Sequence, residues 1–206
     1  MQDTIYRVDG INENNQIHLV GSVKENPVFS HETLNGEKIY EFELECSRMS
    51  GCIDVLKCLI PEVFIKNVIK DKTLSFIGEI RTRNVGKHLE VRVFIIKEPV
   101  NADGVKHCNE VTLKCFICKE PLYRKTALGR EISDALVAVN RPYSKSDYIP
   151  IICWGRNAMA ISYYPVGTKL ELKGRFQSRE YKKKISENEY EDKIAYELSV
   201  STLKQV

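Results

Sequence analysis

The chain has 206 residues, 43% hydrophobic and 29% charged, with a formal net charge of +3, the composition of an ordinary globular protein of one or two domains. No apolar run approaches the ~18 residues of a membrane span. The start, MQDTIYRVDG, lacks the basic residues and apolar core of a secretory signal, so a cytoplasmic protein with seven reduced cysteines is expected.

In chain order, residues 1–14 read as an N-terminal arm in which Thr4 to Val8 alternates weakly. Strands are then expected at Asn15 to Gly21, Lys38 to Ser47 and Ile53 to Ile60. A short helix follows at Glu62 to Ile69, with further strands at Thr73 to Arg81 and Leu89 to Ile96. The second of these strands has the clearest period of two: Phe42 and Leu44 point to a core, and Glu41, Glu43 and Glu45 point out. Pro99, Asn101, Asp103 and Gly104 together mark a linker over residues 99–106.

The same plan then repeats about 93 to 96 residues later. Strands are expected at Asn109 to Cys115, Arg130 to Asn140 and Asp147 to Trp154. A helix follows at Arg156 to Tyr164, and two strands close the unit at Lys169 to Gln177 and Ala195 to Leu203. Five strands with a short helix between the third and fourth make an OB-fold, a five-stranded Greek-key barrel. The expectation is therefore an all-β chain of tandem OB-folds with one short helix each, occupying residues 15–98 and 107–206.

The halves differ in chemistry. Residues 1–104 hold 13 Lys and Arg against 16 Asp and Glu, a net of −3; residues 105–206 hold 18 against 12, a net of +6. The second half also carries eight of the ten Tyr and Trp154, the only Trp. A basic, ring-rich half beside an acidic, ring-poor half implies two different jobs.

Other chemistries lack support. Cys115 and Cys118 form a single C-x-x-C within an expected strand, where residues three apart point to opposite faces, so a zinc site is not expected. Cys46, Cys52 and Cys58 have no nearby His. There is no phosphate loop, nucleophile elbow or Cys–His or Ser–His arrangement, and alternating Glu41 and Glu43 suit a solvated strand face. No enzymatic activity and no cofactor are expected.

The second half resembles the bacterial single-stranded DNA-binding protein family. The resemblance runs from Asn109 to about Leu203 and rests on Asn109-Glu-Val-Thr-Leu, Ala135-Leu-Val-Ala-Val-Asn-Arg141 and Ile151-Ile-Cys-Trp-Gly-Arg156. It continues through Tyr164-Pro-Val-Gly-Thr-Lys-Leu-Glu-Leu-Lys-Gly-Arg175 and Ser178-Arg-Glu-Tyr181. The first half looks like a diverged member, through Leu19-Val-Gly21 and Phe76-Ile-Gly-Glu-Ile-Arg-Thr-Arg83.

This resemblance implies binding of single strands with little sequence preference, in replication, recombination or repair. Tyr148, Trp154 and Tyr181 fall at base-stacking positions and Tyr143 near a fourth. Arg124, Lys125, Arg130, Arg141, Arg156, Arg175 and Arg179 fall where phosphates would pass. Lys182, Lys183 and Lys184 open the loop where the family has a basic hairpin. Stacking platforms and basic grooves are what such binding requires. Packing roles are expected for Tyr163 and Tyr164.

The first half has no such ladder. Asp54, Leu59 and Asn84 stand approximately where Tyr148, Trp154 and Tyr181 fall, so that half is expected to be mainly architectural, with Lys57, Arg81, Arg83 and Lys87 as its remaining cations. Family members with one barrel assemble as tetramers, which implies a homodimer of four barrels here. The chain ends at Ser201 to Val206, so the acidic recruiting tail of replicative members is not expected. A nucleoid-associated, phage or mobile-element setting, or an accessory role in replication restart, fits better. The alternative is an interaction or assembly module that has lost nucleic-acid binding.

Overall fold

A computed structural model of the chain describes residues 13–86, 88–105, 108–142, 144–184, 186 and 189–206, with Lys184 described in its backbone alone. Tyr143, Lys87, His107 and nearly all of the N-terminal arm lie outside the described residues.

The first barrel is built from β1 (Asn15–Val23), β2 (Val28–Glu32), β3 (Lys38–Ser47), β4 (Ile53–Pro61), β5 (Thr73–Val85) and β6 (His88–Ile95). Its alternation does the work expected of it. In β3, Ile39, Phe42, Leu44 and Cys46 are buried, while the three Glu between them stay partly exposed. Glu62–Asn67, between β4 and β5, forms a 3₁₀ turn where the sequence suggests a helix. It begins at Pro61, has no side-chain cap and carries β-branched Val63 and Ile65, all of which disfavour a longer α-helix. Antiparallel pairing of β1 with β3 and with β5, and parallel pairing of β4 with β6, close the barrel.

In the expected linker, Val100–Asn101 forms β7, which pairs with β5, and Ala102 N donates to Thr73 O. The second barrel follows as β8 (Cys108–Ile117), β9 (Leu122–Lys125), β10 (Glu131–Arg141) and β11 (Lys145–Trp154). A helix, α1 (Arg156–Ser162), then leads to β12 (Lys169–Lys184) and β13 (Tyr190–Gln205). The closure repeats, with β8 on β10 and on β12, and parallel β11 on β13. Apart from the short edge strands β2 and β9, which pair with β3 and β10, each barrel has the five strands of the OB topology.

Gly78 and Gly174 are equivalent and have the same steric cause. A Cβ at Gly78 would lie 2.5 Å from Phe94 O, and one at Gly174 would lie 2.2 Å from Ser199 O. The last two strands of each barrel cross too closely there for a side chain.

The barrels join through β1 and β8, which run antiparallel in the register Asn15↔Leu113 to Val20↔Cys108. Ile17 pairs with Val111, its counterpart in the repeat, so an internal two-fold axis passes through that pair. The hydrogen bonds obey the same axis. Asn15 clamps the backbone of Ile80, donating Nδ2 to its O and accepting its N–H, and Asn109 clamps Phe176 in the same way.

Across the seam, Ser178 N donates to Asp54 Oδ1 at 2.9 Å, and Val55 N donates to Ser178 Oγ at 3.0 Å. The mirror set is Thr82 N to Asp147 Oδ1 at 2.8 Å and Tyr148 N to Thr82 Oγ1 at 2.8 Å. Both Asp54 and Asp147 are fully buried. Each is held by arginine: Arg48 Nε donates to Asp54 at 2.7 Å, and Arg81 Nη1 donates to Asp147 at 2.9 Å.

Candidate nucleic-acid interface

The register of the second barrel assembles a single outer face. On β11 the side chains of Tyr148, Pro150, Ile152 and Trp154 share that side. Ile152 lies beside Ser199 on β13, and Ser199 beside Arg175 on β12, so Gln177, Arg179 and Tyr181 continue the same face. Tyr148, Trp154 and Tyr181 are 44%, 38% and 38% exposed, which leaves each ring available from solvent.

The rings are held from below. The Trp154 indole donates Nε1–H to Ser199 Oγ at 3.1 Å, laying the ring across β11 and β13. Gly155 follows at φ +51°, a conformation that favours glycine, and its N–H donates to Glu131 O; the chain turns there at once into α1. Tyr181 lies under Arg179, whose guanidinium carbon is 5.8 Å from the ring centroid, within cation–π range.

The candidate cations divide into groups. Arg130, Arg156, Lys182 and Lys183 are exposed and make no ion pair among the described residues. Arg124 and Lys125 are exposed but pair with Asp134 at 2.8 Å and Glu131 at 3.9 Å. Arg179 pairs with Glu197 at 3.2 Å, and that hydrogen bond, ahead of the opposing cost of burial, raises its pKa.

Two further candidates, Arg141 and Arg175, stand beside the seam and are less exposed than the others. Arg141 is mostly buried and lies 3.5 Å from buried Asp147. Arg175 donates to Gln177 Oε1 at 2.9 Å and lies within the influence of Arg48; burial, then that neighbouring charge, lowers its pKa. Arg175 shares the outer side of β12 with Arg179 and Tyr181, and Arg141 shares Asp147 with Arg81 of the first barrel. Lys182 and Lys183 stand differently from expectation, on β12 itself. β12 and β13 run on as a paired ribbon to Lys184↔Tyr190.

The remaining tyrosines separate cleanly. Tyr196 stacks on Phe176 at 6.3 Å between centroids and is a barrel-packing residue, its pKa pushed up to about 12 chiefly by burial. Tyr164 packs on the core as expected, but Tyr163 is 79% exposed and does not. Burial similarly pushes the Cys46, Cys115 and Cys153 thiols up to about 12, marking them as unreactive core residues.

The first barrel presents the equivalent face with other contents. Its pairing Ile39↔Pro61 matches Ile132↔Trp154, and buried Asp54 matches Asp147. The counterparts of Tyr148, Trp154 and Tyr181 are therefore Val55, Pro61 and Val85, which corrects Asp54, Leu59 and Asn84 by one or two positions. Glu41, Glu43 and Glu45 do lie on this face; Arg92 donates to Glu41 at 2.6 Å and Lys24 to Glu43 at 2.8 Å.

Ser199 is replaced here by Phe94, and without an indole the space above Leu59 and Phe94 stays open. The result is a cavity of about 190 Å³ whose walls include Arg81, Arg83, Arg92 and Glu90, together with Arg141 from the second barrel. Burial alone would raise the pKa of Glu90, but the hydrogen bond from Arg83 and the charge of Arg92 leave it lowered. Sequence reasoning missed this cavity because it depends on a residue from the other barrel. In the sequence, the basic pair of Arg81-Thr-Arg83 was its trace.

The fold and this face define a protein of two joined OB barrels, one with an aromatic outer face, and comparison with known proteins narrows that class. Residues 108–203 match the family described as "Single-strand binding protein family". The chain is 30% identical over 89 residues to "Single-stranded DNA-binding protein" of Clostridium tetani, covering 40% of this chain and 61% of that relative's length. It is 30% identical over 96 residues to "Single-stranded DNA-binding protein 3" of Clostridium acetobutylicum, covering 43% of this chain and 67% of that protein.

The crystal structure of the wild-type single-stranded DNA-binding protein from Thermus aquaticus superposes with a TM-score of 0.73 at 18% identity. It covers 93% of this chain and 92% of that one, so the likeness in fold extends over both barrels. The chain belongs to the single-strand binding protein family.

Proposed function

We propose that the chain binds single-stranded DNA with little sequence preference through the outer face of its second barrel. Bases stack on Tyr148, Trp154 and Tyr181, and Arg130, Arg156, Lys182 and Lys183 meet phosphates. Arg124 and Lys125 can exchange their partly exposed carboxylate partners for phosphate, and Arg179, itself exposed, can do so by leaving the buried Glu197. The observation that carries this reading is the common outer face of the three partly exposed rings, fixed by strand register. Stacking tolerates any base because every base has a π-face, and basic groups track the backbone. In this reading the first barrel is chiefly architectural. A homodimer of four barrels belongs to the same proposal, and light scattering would read it as about twice the chain mass.

The test is a titration with poly(dT), following Trp154 fluorescence at two salt concentrations. Because Trp154 is the only Trp, the signal has one source. Quenching with salt-sensitive affinity supports the proposal. An unchanged emission with no binding at low salt overturns it, and the assembly-module reading then takes its place.

A further inference from the structure

The cavity on the first barrel has a composition unlike a phosphate site. Arg81 pairs with Glu79 and Asp147, Arg83 with Glu90, Arg92 with Glu41 and Glu90, and Arg141 with Asp147. Four arginines and one carboxylate, Glu90, line the cavity, and Glu79, Glu41 and Asp147 pair with those arginines from behind the lining, so each cation is already matched by a carboxylate. What they leave is a set of planar donors beside a carboxylate acceptor, above an apolar floor of Leu59 and Phe94. The complement of such a site is a flat, neutral group with acceptors and donors on its edge, which describes a nucleobase.

Among the bases, guanine fits the pair at the mouth best. On its Watson–Crick edge O6 accepts from an arginine, and the neighbouring N1–H and N2 amine donate to a carboxylate. Arg83 engages Glu90 through Nε at 2.8 Å, which leaves its terminal nitrogens for a ligand. The pair is reachable, with side chains 62% and 33% exposed. The cavity also adjoins the stacking face. Thr82 lines it and accepts the N–H of Tyr148, so the cavity lies next to the first ring of that face.

We propose that this cavity is a guanine-selective base pocket, with Arg83 and Glu90 as its reading pair, taking an unstacked base from a strand held on the second barrel. The proposal rests on the single-strand reading above. It gives the first barrel a recognition role and superimposes a local base preference on otherwise sequence-tolerant binding.

The experiment compares end-labelled oligo(dT) with oligomers carrying one central guanine, adenine or cytosine, by anisotropy at fixed salt. A single guanine avoids self-association of the oligomer. The guanine oligomer is expected to bind about tenfold tighter, the effect of one bidentate base contact. In Glu90→Ala and in Arg83→Ala, separately, that gain should vanish while oligo(dT) affinity moves less than about twofold. Both side chains are partly exposed, and unchanged circular dichroism confirms the fold. Equal affinity for all four oligomers, an equal gain for adenine or cytosine, or a guanine gain that survives Glu90→Ala would each overturn the pocket and leave the stacking face standing. Failure of oligo(dT) itself to bind would overturn the stacking face and the pocket with it.

Discussion

The two barrels share the devices that close and join them and differ in what they place on one face. Asn15 and Asn109, Asp54 and Asp147, Gly78 and Gly174 occupy matched positions with matched partners. On the outer face, Tyr148, Trp154 and Ser199 of the second barrel become Val55, Pro61 and Phe94 in the first. Exchanging an indole for a proline removes a platform and opens a cavity in the same space. The seam is also asymmetric: Arg81 reaches across to Asp147, whereas its counterpart, Gln177, turns to Glu197 at 2.9 Å and leaves Asp54 to Arg48 alone. Conserving the frame while varying the outward residues of three strands is enough to give two surfaces of different chemistry.

The comparison breaks first at the seam. Asp147→Ala removes the acceptor shared by Thr82 N and Arg81 and leaves two mostly buried guanidinium groups, Arg81 and Arg141, short of charge. Breaking a buried pair in this way costs about 3–5 kcal/mol, read as a lower urea midpoint. Asp54→Ala strands one arginine, Arg48, and should cost less. Equal losses would mean that the extra arginine adds nothing to the joint.

A smaller effect separates the faces. Trp154→Ala should weaken single-strand binding by about 1–3 kcal/mol, measured with labelled DNA. Pro61→Ala, at the equivalent place, should leave poly(dT) affinity unchanged. A comparable loss from Pro61→Ala would show that the first barrel stacks bases after all.

Much of this frame was legible in the sequence, for physical reasons. Alternation marks a strand that is wet on one side, so β3 was found to the residue and the order of elements emerged twice. The exposed rings were legible through the family resemblance, which put Tyr148, Trp154 and Tyr181 at stacking positions. The seam was not. The groups beside Arg141 and Arg175 include Arg81 and Arg48 of the opposite barrel, which local pattern cannot register. Glu62–Asn67 tightened to 3₁₀ because its capping and propensity are poor, although its apolar spacing suits a helix. The paired ribbon that carries Lys182 and Lys183 also escaped notice, since its polar sequence resembles a loop.

The smallest effect concerns which cations meet DNA. For single strands the slope of log K against log salt is about −0.7 per phosphate neutralised. If only Arg130, Arg156, Lys182 and Lys183 engage, the slope should be about −3, and Lys183→Ala should make it shallower by about 0.7. If Arg124, Lys125 and Arg179 also leave Asp134, Glu131 and Glu197 for phosphate, the slope should approach −5, to about one unit. The steeper result would mean that ion pairs on this face are held in reserve for the strand. Arg81→Ala and Arg92→Ala supply the contrast. Both arginines are already matched by carboxylates, so any change in slope from these variants would assign phosphate contacts to the first barrel. An unchanged slope would confine phosphate contact to the face that carries the rings.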